Sequence, residues 1–123
     1  MGTSFTEYKE FGFWSRDSFL ASWLATLLNE MQKLPVREAW QESLMEHWRV
    51  QSRIDGGVMS LGLDEFLIND ERRDCVLSLA HSALQQSEEK ARRTGELFSA
   101  LLAGKLRTTA SSPINYFDDQ SGR

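Results

Sequence analysis

Cys75, Ser78 and His81 stand three apart in "CVLSLAH", and each residue type can take part in catalysis. A hydroxyl or thiol nucleophile needs a base, and the base needs a group to orient it. No acid stands where it could orient His81, so the triad roles are not filled. Cys75 adjoins Val76 at the edge of an apolar helix face, where a buried structural thiol is the ordinary outcome. Metal chemistry fares no better. His47 and His81 are the two histidines. Glu46 is next to His47, but adjacent residues on a helix diverge by about 100°. His81 meets Asp74 or Cys75 two turns back only loosely, and no His-x₃-His or Cys-x-x-Cys spacing occurs. "DGGVMSLG" has the glycines of a phosphate loop without the lysine or hydroxyl that follows them at Walker spacing, so turn formation accounts for it. No catalytic residue, metal ligand or cofactor is expected, and the chain reads as a non-enzyme. A pocket between helices that uses His47 or His81 is the enzymatic or ligand-binding alternative.

Two acidic features remain. Glu38, Glu42 and Glu46 recur every four residues and share one helical ridge, where like charges repel by a few tenths of a kcal/mol per pair. Between residues 55 and 74, Asp55, Asp64, Glu65, Asp70, Glu71 and Asp74 face only Arg72 and Arg73. Six acids less two bases give −4, the net charge of the whole chain. A solvated face accounts for such residues, and acids near helix N-termini also complement the dipole, as Asp70 and Glu71 do. The other reading is a partner-binding face, since clustered acids steer and cover a cationic protein.

The surrounding chain is ordinary for one globular domain: 123 residues, 41% hydrophobic and 26% charged. The acidic balance argues against a nucleic-acid partner, which requires a lysine and arginine surplus. No 18-residue apolar run is present to cross a membrane. The N-terminus lacks a charged-then-apolar leader, and Gly2 and Thr6 match a myristoylation pattern that occurs readily by chance. A single cysteine fits a reducing compartment, so a cytoplasmic location is expected.

The apolar spacing predicts four main helices. "DSFLASWLATLLNEMQKL", residues 17 to 34, has a broad stripe from Phe19 to Leu34, capped by Ser15 or Asp17 and ended by Pro35. A second helix runs from about 36 to 52, with Val36, Trp40, Leu44 and Trp48 in line, and folds back beside the first. "GLDEFL" gives a short helical turn. Asn69 or Asp70 starts a third helix over about 70 to 87, and a fourth spans about 89 to 103 before Gly104. Phe5, Tyr8, Phe11, Phe13 and Trp14 make the N-terminal stretch aromatic, and five exposed rings would exceed the apolar patch a soluble monomer usually carries. Most are therefore expected in the core, with Trp14 and Phe11 as exceptions. Tyr116 and Phe117, followed by two aspartates, pose the same question at the other end. The expected fold is all-α. Residues 1–15 form an aromatic arm, 16–104 a four-helix bundle with an extra turn, and 105–123 a tail.

"EFGFWSRD", "GLDEFLINDERRDCVL" and "LLAGKLRTTASSP" resemble bacterial proteins of the polymorphic-toxin immunity kind, over most of the chain. That resemblance implies a cytoplasmic inhibitor that occludes a cognate, basic toxin domain; the chain itself is expected as a monomer or a homodimer. It carries over no catalytic residue. The interface is expected on Glu38, Glu42, Glu46, Asp64 and Glu65, with Trp14 as aromatic anchor. The alternative is a non-catalytic structural or adaptor protein that self-associates.

Overall fold

In a computed structural model, the structure describes residues 2–53 and 59–109. Asp55, Gly56, Gly57, Tyr116 and Phe117 lie outside the described residues. The chain opens with strands β1 (Thr3–Tyr8) and β2 (Phe11–Arg16). Helices α1 (Asp17–Gln32), α2 (Ala39–Gln51), α3 (Leu63–Phe66), α4 (Asp70–Leu84) and α5 (Glu89–Leu102) follow. The all-α expectation is overturned. The aromatic arm is an antiparallel hairpin, and the fold is α+β.

The hairpin has a physical signature that its sequence hides. Tyr8 pairs with Phe11, leaving a two-residue turn of Lys9 and Glu10, both at positive φ (52° and 79°). Such a turn matches the right-handed twist of the strands and is normally announced by Asn-Gly or Asp-Gly. In β1, Ser4, Thr6 and Tyr8 point inward, while Thr3, Phe5 and Glu7 point outward. The outer face carries the Phe5–Trp14 cross-strand pair, so apolar residues occupy both faces and blur the period of two.

The helices follow the apolar spacing closely. β2 runs straight into α1, so Arg16 stands at the N-cap, and neither Ser15 nor Asp17 caps the helix. The Asn69 side chain does cap α4, accepting from the Arg72 amide at 2.9 Å. Gly104 follows α5 at φ 78°. Trp23 of α1, Trp48 of α2 and Phe98 of α5 are fully buried. Their rings meet edge to face, with centroids 5.7 Å apart for Trp23–Phe98 and 6.3 Å for Trp48–Phe98. α5 packs on α1 and α4 and reaches both strands. A Cβ on Gly95 would lie 2.5 Å from Trp23, so the absence of a side chain there sets how closely α5 approaches α1. Val36, placed in the apolar line of the second helix, precedes α2 and is 82% exposed.

Of the five aromatics in the hairpin, Tyr8 and Phe13 are core, Phe5 and Phe11 are half-buried, and Trp14 is 42% exposed. The free edge of β2 is covered from far along the chain. Gly12 N–H donates to the Thr108 carbonyl at 2.9 Å, and the Thr108 hydroxyl donates to the Gly12 carbonyl.

Candidate functional site

The hairpin and α3 meet around a hollow of about 280 Å³ lined in part by Phe5, Glu7, Gly62, Asp64 and Glu65. Three carboxylates thus surround one concavity. Glu7 is there because outward residues of β1 alternate, which puts it beside Phe5 on the same face. Trp14 packs on Phe5 at the outer edge, with ring centroids 5.1 Å apart.

Two side chains of α2 fix the segment that carries the acids. Trp48 donates its indole N–H to the Leu61 carbonyl at 3.0 Å. His47 Nε2 lies 2.7 Å from the Ser60 carbonyl, so that nitrogen carries the proton and donates. The His47 ring also packs against Phe66 of α3. Asp64 then reaches across to the hairpin, where its Oδ1 accepts from the Lys9 amide at 3.0 Å. That bond gives the strained turn a fixed partner and orients the carboxylate. Glu65 is exposed beside it.

The residues expected to form one face fall into separate places. Asp64 and Glu65 line this hollow, and Trp14 is linked to it through its contact with Phe5. Glu38 stands at the N-cap of α2, where its side chain and Gln41 form a reciprocal capping box. It lines a second hollow, of about 390 Å³, with Trp40, Glu71, Arg72 and Cys75. Glu42 pairs with Arg37 at 2.6 Å, and Glu46 with Arg49 at 3.5 Å. Both pairs are largely exposed and contribute little to stability, but they offset the repulsion along the ridge. Glu7 was not legible as a site residue, because its position depends on the hairpin. Alternation of Phe5 and Glu7 was the one available signal.

Of the groups weighed for catalysis, Cys75, Ser78 and His81 all lie on α4 and His47 on α2. Ser78 and His81 are both exposed on α4, and Cys75 accepts a 3.3 Å contact from the Gln41 amide. Among the described residues, no group of three or more His, Cys, Asp or Glu side chains is placed to hold a metal ion. No helix among them is long and apolar enough to cross a membrane. No family model, curated protein or solved structure matches the chain.

Proposed function

We propose that this chain is a non-catalytic inhibitor that seats a basic protein on the hollow between the hairpin and α3. It would act in the cytoplasm as the immunity partner of a bacterial toxin domain. The observation that carries this reading is the grouping of Glu7, Asp64 and Glu65 around one concavity, with the half-exposed Trp14 ring packed at its rim. Carboxylates around a recess focus the field and steer a cationic surface toward it. An aromatic anchor beside them supplies the apolar contact that charge alone lacks. A toxin whose cationic active site is covered in this way is denied its substrate.

Co-expression with the product of the adjacent gene tests the reading, with growth and co-purification as readouts. Restored growth and a stable complex are expected. The double variant Glu7→Lys/Glu65→Lys should lose both while keeping its helical circular dichroism. Asp64 is left alone because it holds the Lys9 amide. Full protection by the double variant would rule out this face, and a harmless neighbour with no complex would rule out the inhibitor.

Val36 and Ile68, 82% and 65% exposed, favour a second reading, self-association through leftover apolar surface. Sedimentation over a range of concentrations separates the two, since a monomeric inhibitor keeps one mass.

A further inference from the structure

The two edges of the hairpin are finished differently. On β2, the Gly12 amide and carbonyl both turn away from β1 and bond to Thr108. Gly12 stands opposite Glu7 in the register, so the backbone groups of Glu7 turn the other way, out of the free edge of β1. Phe5, two residues earlier, repeats that orientation. The bond from the Asp17 amide to the Gly2 carbonyl fits the same alternation, in which the even-numbered residues of β1 face β2. Among the described residues, nothing bonds to the outward amide or carbonyl of Phe5 or Glu7.

The segment 59–64 runs beside β1 in the same direction but does not join its ladder. Side chains tie its two ends. The Met59 amide donates to the Ser4 hydroxyl at 2.9 Å, and the Asp64 carboxylate accepts from the Lys9 amide at 3.0 Å. Between the ties lies the acidic hollow, with Phe5 and Glu7 on one side and Ser60 to Glu65 on the other. An unpaired strand edge is a template for a further strand, and peptide recognition often uses it. The length between the ties suits about three extended residues at roughly 3.4 Å each. Charge selects the occupant. A second copy would bring the same acids to the same edge, and like charges across a strand pair oppose that pairing. A basic segment meets Glu7, Asp64 and Glu65 as opposite charges.

We infer that the basic partner docks by adding a short extended segment to the outer edge of β1 as a third strand, with a basic residue opposite Glu7. This rests on the inhibitor reading and names the element that the partner presents.

The test is amide hydrogen exchange of the full chain, read in ¹H–¹⁵N spectra, with two capped peptides as probes. One alternates lysine with valine. The other has the same sequence with N-methyl lysines, which keeps the charge and removes the amides that would face β1. In the dilute free chain, the Phe5 and Glu7 amides should exchange faster than those of Thr6 and Tyr8, which face β2. The first peptide should slow both at saturation. It should bind roughly tenfold more tightly than its N-methyl form, the effect of losing two ordinary backbone bonds. Equal affinity without slowing leaves charge alone at work and overturns edge pairing. Slowing that grows with chain concentration and needs no peptide gives the edge to a second copy. Slow exchange of both amides in the dilute free chain means an edge already occupied. Either result overturns the inference, as does failure of the first peptide to bind. Rescue of growth by co-expression is read separately, so edge pairing can fail while the inhibitor reading stands.

Discussion

The buried Ser4 hydroxyl donates to Asp17 Oδ1 at 2.6 Å and ties the first strand to the first turn of α1. The same oxygen accepts from the Met59 amide at 2.9 Å. One hydroxyl therefore joins the hairpin, α1 and the segment leading to α3. Ser4→Ala leaves a buried amide and a carboxylate short of a partner. Its expected cost is about 1–3 kcal/mol, read as a lower urea midpoint with an unchanged slope. A midpoint within about 0.5 kcal/mol of the parent, the usual range for surface changes, would show that the bridge carries no weight.

Gly95 and Gly104 offer a contrast between crowding and backbone strain. A Cβ on Gly95 meets Trp23 and Leu84 within 2.5–2.8 Å, whereas one on Gly104 meets nothing within 4 Å. Gly95→Ala should cost about 1–3 kcal/mol through overpacking and alter the near-ultraviolet circular dichroism of the buried tryptophans. Gly104→Ala should cost about 1–2 kcal/mol from the left-handed backbone alone and leave that spectrum unchanged.

Glu10, at φ 79°, holds the hairpin turn in a conformation suited to glycine. Glu10→Gly is expected to raise the melting temperature, by the equivalent of about 0.5–1 kcal/mol. A fall in melting temperature would mean that Glu10 makes a stabilising contact that outweighs the strain.

Trp14 separates stability from recognition. Its ring is 42% exposed on the outer face of β2. Trp14→Ala should change folding stability by about 1 kcal/mol or less, yet weaken the proposed toxin complex by about 2 kcal/mol, as aromatic anchors do. Calorimetric titration and thermal melting of the same variant give both numbers. Unchanged affinity would move the anchor elsewhere.

The helices were legible because each has one cue that the structure uses directly. Asn69 before α4 and Gly104 after α5 act within their own helix ends, and the stripe on α1 shows its helical period in the sequence whatever it packs against. The hairpin was not legible, because Lys9-Glu10 is an unusual choice for that turn and the strands are apolar on both faces. Its left-handed turn finds support from Asp64, 55 residues away, which no local pattern reveals. The candidate site inherited the same gap. Asp64 and Glu65 stood out as acids, but Glu7 joins them only once β1 exists. The ridge of Glu38, Glu42 and Glu46 was conspicuous for its spacing, and its partners Gln41, Arg37 and Arg49 lie on α2 or just before it.

The bond pair between Gly12 and Thr108 spans 96 residues. At ribosomal rates of about 5–20 residues per second, roughly 5–20 s separate the synthesis of the two residues. The hairpin is made first, yet its outer edge is sealed only when the segment after α5 arrives. During that interval, β2 offers unpaired amide and carbonyl groups to other nascent chains, and a product ending before Thr108 would keep that edge open.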